Sequence, residues 1–204
     1  MRYLVVIAVG LLLASPAWAD FEIDKRDCVR GKGSVKISGC SRLLKLEKLD
    51  PKSRATAYFY RGNGYYFLKQ YRRAIQDYNE AIRLNPRYAV AYANRGSAYG
   101  DLKQYPRAIQ DQTEAIRLIP GFALAYYNRG STYDDLKQYR RAIQDYNKAI
   151  RLNPRYAIAY GNRGVAFERL GRRKEAIRDY RQALRLDPGQ RQSRTNLRRL
   201  GVRP

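Results

Sequence analysis

Four glycines, Gly62, Gly96, Gly130 and Gly164, stand 34 residues apart. Ala74, Ala108, Ala142 and Ala176 keep the same spacing, and so do Pro86, Pro120, Pro154 and Pro188. A period of this length is the mark of a stacked array of helical hairpins, in which each unit hides its apolar face only against its neighbours. Such arrays offer surface to a partner more often than they do chemistry.

The stretch Ala123 to Tyr156 shows what one unit contains. Ala123, Ala125, Tyr126, Gly130 and Tyr133 recur at helical spacing and predict a first amphipathic helix. Leu136-Lys137-Gln138-Tyr139 reads as a polar turn. Ala142, Ile143, Tyr146, Ala149, Ile150 and Leu152 form the apolar stripe of a second helix. Asn153-Pro154 stops it, because proline cannot continue the hydrogen-bond ladder. Small residues stand where the two helices touch, and tyrosines fill the space between them. The strings Leu68 to Ala89 and Leu136 to Ala157 are identical apart from Glu80 against Lys148. Duplication of a two-unit block is the simplest account, and it points to a surface rather than to one unit with a unique task.

The units read Tyr58, Gly62, Tyr65, Ala74, Tyr78, Ala81, Pro86, then Tyr92, Gly96, Tyr99, Ala108, Ala115, Pro120. The third reads Tyr126, Gly130, Tyr133, Ala142, Tyr146, Ala149, Pro154, and the fourth Tyr160, Gly164, Phe167, Ala176, Tyr180, Ala183, Pro188. This pattern resembles the tetratricopeptide repeat. The resemblance implies an all-α fold, a right-handed superhelical array of four hairpins at 55–88, 89–122, 123–156 and 157–190. It also implies that first helices line a concave groove and second helices form the convex back. Two departures stand out. Gln112 replaces an aromatic, so looser packing is expected in the second unit. Arg61, Arg95, Arg129 and Arg163 replace the leucine before each glycine, and Asp77, Asp111, Asp145 and Asp179 share their period. If the resemblance holds, these arginines and aspartates pair across each hairpin and fix its register. The alternatives are that both face solvent, or that the arginines meet a ligand.

Asn94, Asn128 and Asn162 repeat two residues before each glycine, on the predicted groove. An amide side chain donates to and accepts from a peptide bond at once, so such a ladder suits an extended chain held by its backbone. Asn63, Phe59, Tyr127, Ser97 and Ser131 are placed around it, with Asp101, Asp134 and Asp135 near the helix ends. The rival reading has the asparagines bonding neighbouring helices only. Chaperone-adaptor relatives of this family grip a terminal carboxylate with two asparagines and three basic residues. Asn63 and Asn94 match the asparagines, but Phe59, Leu124 and Asn128 fill the basic places, so that clamp is not expected.

The chain ends carry separate signals. Arg2, the apolar run Leu4 to Ala14, Pro16 and Ala17-Trp18-Ala19 read as a secretory signal peptide (1–19) cut before Asp20, with an uncleaved anchor as the rival. The run is too short for a membrane span. Periplasmic or secreted location follows as an expectation. Residues 20–54 form an N-terminal segment holding Cys28 and Cys40 and a degenerate helix within Val35 to Leu49. In an oxidising compartment the two cysteines allow one disulfide, whose loop of about 13 residues is worth roughly 3 kcal/mol in the chain-entropy model. A free thiol pair is the alternative. A metal site lacks ligands, since the chain has no histidine. Residues 191–204 read as a basic capping helix and tail, with Leu197 and Leu200 on one side and Gly201 ending the helix.

The chain carries a formal net charge of +23. The predicted first helices are nearly neutral; the excess lies on the second helices, the unit junctions and the tail. A positive back attracts anionic polymer or lipid and is screened by salt, although solubility alone also accounts for it. A specific nucleic-acid role is not expected, because the tyrosines sit at packing positions and export would separate the chain from its target. Without histidine there is no imidazole base, and Gly31-Lys32-Gly33 is too short for a phosphate loop. No enzyme activity and no cofactor are expected. The expected function is a protein-interaction scaffold that holds an extended peptide, and an envelope module docking through its basic back is the alternative.

Overall fold

The tightest helix contacts fall where the small residues recur. A Cβ built on Gly62 would lie 2.7 Å from the Tyr78 ring, and one on Gly164 would lie 2.7 Å from the Tyr180 ring. Both tyrosines are fully buried, so neither ring can move aside, and any side chain at these glycines would push the hairpin open. Ala74, Ala108, Ala142 and Ala176 are likewise fully buried.

The computed structural model describes residues 16–203, which form eleven helices and no strand. α1 (Pro16–Arg30) and α2 (Gly33–Leu44) precede the repeats. The four units are α3 (Pro51–Phe67) with α4 (Tyr71–Leu84), α5 (Ala89–Asp101) with α6 (Tyr105–Leu118), α7 (Ala123–Asp135) with α8 (Tyr139–Leu152), and α9 (Ala157–Arg169) with α10 (Arg173–Leu186). α11 (Arg191–Arg199) follows. Each helix packs on the next in sequence, which makes a solenoid of helical hairpins. The first helices of successive units also touch one another, while the second helices make no comparable contact. Crowding on one side and splaying on the other curve the array, so α3, α5, α7 and α9 line its concave face.

Within each hairpin the turn closes in the left-handed region. Lys69, Lys103 and Lys137 all sit at φ 58°, and Gly171 takes the same place at φ 72°. The Gln70 N–H donates to the Tyr65 carbonyl at 2.9 Å and the Lys69 N–H to the Tyr66 carbonyl at 2.9 Å, which satisfies the last carbonyls of α3. A lysine in this region costs about 1 kcal/mol against glycine.

The N-terminal segment holds more helix than its sequence reading. It is a hairpin of two helices, of which α2 overlaps the helix expected within Val35 to Leu49, beginning at Gly33 and stopping at Leu44. Arg54 explains the stop: its guanidinium donates to the carbonyls of Leu44 at 3.0 Å and Leu46 at 2.9 Å, which occupies the end of α2. Asp50 then caps α3 by accepting from the Ser53 N–H at 3.0 Å, with Pro51 in the first turn. Cys28 and Cys40 are joined by a disulfide between α1 and α2. They are buried with Leu43 and Ala57, and Phe21, Leu44 and Tyr60 pack around them. α2 lies close on α3, since a Cβ on Gly64 would meet the Ile37 side chain at 2.8 Å. The first fifteen residues of the expected signal peptide lie outside the described residues. Cleavage before Asp20 would fall inside α1 and leave Phe21 and Cys28 in place.

At the other end, Leu197 is fully buried against the cluster of Tyr180, Ala176 and Phe167. α11 thus covers the last apolar edge, as an array of this kind requires. Gly201 at φ 67° ends it. No helix among the described residues is long and apolar enough to cross a membrane.

Candidate functional site

The arginine before each glycine meets the aspartate sixteen residues on, in all four units. Arg61 donates through Nε and Nη2 to both carboxylate oxygens of Asp77, at 2.8 and 2.7 Å. Arg95–Asp111, Arg129–Asp145 and Arg163–Asp179 repeat this two-pronged geometry at 2.6 to 2.9 Å. All four aspartates are buried. Donation to the Asp77 carboxylate holds the Arg61 guanidinium above its ordinary pKa. Each guanidinium also lies over the tyrosine three residues before it, Tyr58, Tyr92, Tyr126 or Tyr160, at 5.3 to 5.7 Å from the ring centre. The remaining Nη1 reaches back to the preceding second helix. Arg95 donates to Asn79 Oδ1 at 2.7 Å, Arg129 to Thr113 Oγ1 at 3.1 Å and Arg163 to Asn147 Oδ1 at 2.6 Å, while Arg61 donates to Ser41 Oγ on α2 at 3.3 Å. One side chain therefore ties both helices of its own unit to the unit before. This cross-unit bond was missed in the sequence, although Asn79, Thr113 and Asn147 share the repeat period and carry its signal.

The asparagine ladder lies on the concave face and is half-buried. Its amides join successive first helices. Asn94 Nδ2 donates to Asn63 Oδ1 at 2.8 Å, Asn128 Nδ2 to Ser97 Oγ at 3.1 Å, and Asn162 Nδ2 to the Tyr127 hydroxyl at 3.0 Å. These bonds belong to the second of the two readings given above. Each uses one N–H, and an amide has a second N–H and a carbonyl oxygen besides. Asn63 is more committed, since its Oδ1 also accepts from the Tyr78 hydroxyl at 2.8 Å. Ser97 and Ser131 are half-buried on the same face.

Phe59 is a correction. It is 7% exposed and stacks in the core, with ring centres 5.0 Å from Tyr88 and 6.1 Å from Tyr78. It stands one turn before Asn63 on α3, but its ring turns inward. Tyr127 stands two repeats later and packs in the same way on Tyr156 and Tyr146. Only its hydroxyl reaches the face, and burial pushes the phenol's pKa up.

The tyrosine hydroxyls at the unit cores are satisfied unevenly. Tyr180 donates to Glu168 at 2.9 Å, and Glu168 also pairs with Arg199 of α11. Asp134 occupies the Glu168 position one repeat earlier. Its Oδ1 and the Tyr146 hydroxyl are both buried without a partner among the described residues, because the aspartate is one methylene shorter. Burial, then the neighbouring Asp135, raise the Asp134 pKa against the opposing pull of Arg169. Asp134→Glu is expected to bridge to Tyr146 and stabilise the chain by about 1 kcal/mol in urea denaturation. The gain should vanish in the Tyr146→Phe background; a gain that persists there would refute the bridge.

Position 112 departs furthest. Gln112 is fully buried, and its Nε2 donates to the Ala93 carbonyl at 3.1 Å. A cavity of about 250 Å³ opens beside it on the concave face. By contrast, the second helices turn exposed arginines outward, among them Arg72, Arg73, Arg83, Arg140 and Arg151.

Comparison by sequence with curated proteins gives no match. Among solved structures, one of MamA is 28% identical with a TM-score of 0.69, over 81% of this chain and 95% of that one. YrrB, described as a TPR protein with an unusual peptide-binding site, is 20% identical with a TM-score of 0.64, over 79% of this chain and 81% of its own, a likeness of fold. The first TPR of Spaghetti (RPAP3), bound to the HSP90 peptide SRMEEVD, is 32% identical with a TM-score of 0.54, over 55% of this chain and 90% of its own. Models of the tetratricopeptide repeat match residues 55–88, 123–156 and 157–190, and a further one matches 77–110. With these matches, the repeated Gly–Tyr contacts and the solenoid, the chain belongs to the tetratricopeptide repeat family.

Proposed function

We propose that this chain is an exported protein-interaction scaffold of the cell envelope that holds an extended peptide segment along its concave face. The observation that carries the reading is the ladder of Asn94, Asn128 and Asn162 on successive first helices, each with amide capacity beyond its bond to the neighbouring helix. RPAP3, which resembles part of this chain and was solved with a bound peptide, supports it. The chemistry is recognition without catalysis. The basic residue and apolar run at the start of the chain, and a disulfide suited to an oxidising compartment, support export.

The test is crosslinking capture from envelope extract, with the wild-type chain and with Asn94, Asn128 and Asn162 all changed to alanine. Capture should fall about tenfold or more in the triple variant, with helix content unchanged by circular dichroism. Undiminished capture would sink the groove reading. The chain recovered from the envelope should begin at Asp20; a cytoplasmic chain retaining Met1 would overturn the location. The exposed arginines of the second helices favour a second reading, docking of the convex back on an anionic surface. Capture of that kind would survive the triple change and disappear with added salt.

A further inference from the structure

The cavity beside Gln112 opens where one tyrosine of the repeat is missing. In the other three units Tyr78, Tyr146 or Tyr180 fills the space between first and second helix. Gln112 is shorter, and the space it leaves is walled by α5, α6 and α7, with Tyr66 of α3 at its rim. Gln112 itself lines the cavity. Its Nε2 is committed to the Ala93 carbonyl, and that bond fixes which way the amide faces. The atom left over is Oε1, which is buried and has no hydrogen-bond partner among the described residues. Leaving a buried acceptor unpaired is unfavourable, so this position calls for a donor.

The rest of the wall asks for the same thing. Asp101 and Asp135 supply carboxylates and Ser131 a hydroxyl, while the Ser97 hydroxyl is engaged, donating to the Ala93 carbonyl at 3.1 Å and accepting from Asn128. No lysine or arginine among the described residues lines the cavity. The chain has 41 Lys and Arg against 18 Asp and Glu, so a lining with two acids and no cation runs against its composition. Burial and the neighbouring Asp101 raise the Asp135 pKa, as expected for two carboxylates facing one space without a cation between them. Thr132 is turned away, its hydroxyl donating to the Asn128 carbonyl at 3.0 Å.

We propose that this cavity is a subsite for a basic side chain, arginine above all, carried by the peptide in the groove. A guanidinium offers five N–H donors in a planar fork. Its inner edge meets Gln112 Oε1, and its charge sits between Asp101 and Asp135 at the mouth. Lysine satisfies fewer of these acceptors and binds more weakly. The subsite gives sequence preference to a face whose asparagines read only peptide backbone, and it rests on the groove reading for the peptide that delivers the side chain.

Two probes separate the subsite from that reading. The first is Nα-acetyl-arginine amide, titrated into the ¹⁵N-labelled full chain with Nα-acetyl-glutamine amide as the neutral control. Saturable shifts are expected at Ser97 to Asp101 and Asn128 to Asp135, with the arginine amide only. The combined change Asp101→Asn and Asp135→Asn should weaken binding about tenfold. Gln112→Tyr, which restores the residue of the other units and fills the cavity, should abolish it. Scattered shifts, or equal shifts from the glutamine amide, overturn the subsite. The second probe is a fluorescein-labelled Ala/Ser undecapeptide with a single central Arg or Gln, followed by anisotropy. The Arg peptide should bind about tenfold tighter. Equal binding of both peptides, lost on the triple asparagine change, would leave the groove standing and the subsite refuted. Saturation by the arginine amide with no binding of either peptide would leave the subsite standing and the groove refuted.

Discussion

Asp179→Ala is expected to remove about 3 kcal/mol of stability, because it strips a largely enclosed guanidinium of its counter-charge. Of the four pairs this one is the most enclosed, with Arg163 at 13% and Asp179 at 2% side-chain exposure. Both prongs of Arg163 end on Asp179, and among the described residues the guanidinium's only other hydrogen bond is the one to Asn147. With the carboxylate gone, the charge stays wedged between α9 and α10 over the rings of Tyr160 and Phe167. It can then reach water only by opening the hairpin. Asp77→Ala should cost less, since Arg61 is 22% exposed and can turn outward. Urea denaturation of the two variants reads the order directly. Replacing both members of the enclosed pair, Arg163→Met with Asp179→Leu, should recover most of the loss, because the desolvation of two charges disappears along with their attraction. That recovery would mark the pair as a device for register more than for stability. A loss under about 1 kcal/mol for Asp179→Ala would show a solvated pair and end the register role.

The distance between sequence and structure differs from element to element, for physical reasons. The hairpins were legible because their signals are local and repeated. Helical spacing of alanines and tyrosines sets the faces, and proline sets the stops. The interval of sixteen between arginine and aspartate is the same in every unit, so it survives any shift of helix bounds. The preceding hairpin was only half legible. Its residues do not repeat, α1 overlaps the segment read as a signal peptide, and its large apolar residues Ile23 and Val29 are exposed rather than buried, so no clean stripe marks it. Phe59 was misplaced for another reason. Its equivalents are Ala93, Tyr127 and Gly161, large in odd units and small in even ones, and only the packed structure shows that the large ones turn inward onto Tyr88 and Tyr156. The cavity was foreshadowed by Gln112 as an irregular residue. Asp101 and Asp135 were legible as acids near the groove, but not as two walls of one cavity with Gln112, because they lie one repeat apart on different helices and meet only when the units stack.

Loss of the Cys28–Cys40 bond should cost about 3 kcal/mol, and the cost should stay at one end of the molecule. The buried cluster under this hairpin is small: the two cysteines, Leu43 and Ala57, with Phe21, Leu44 and Tyr60 around them. Hydrophobic burial of that extent does not hold α1 against the entropy of its release. α2 keeps its own seat on α3, where Ile37 meets Gly64 and Ser41 meets Arg61. In the variant Cys28→Ser with Cys40→Ser, amide exchange in α1 should therefore quicken about a hundredfold. A smaller change is expected in α2. In an array whose units touch only their neighbours, the effect should fade within one repeat, so α7 to α10 should exchange as in the wild type. Exchange that quickens equally from α1 to α11 would mean that the hairpin and the repeats unfold together, and the preceding hairpin would then be part of the array's core rather than a stapled cap upon it.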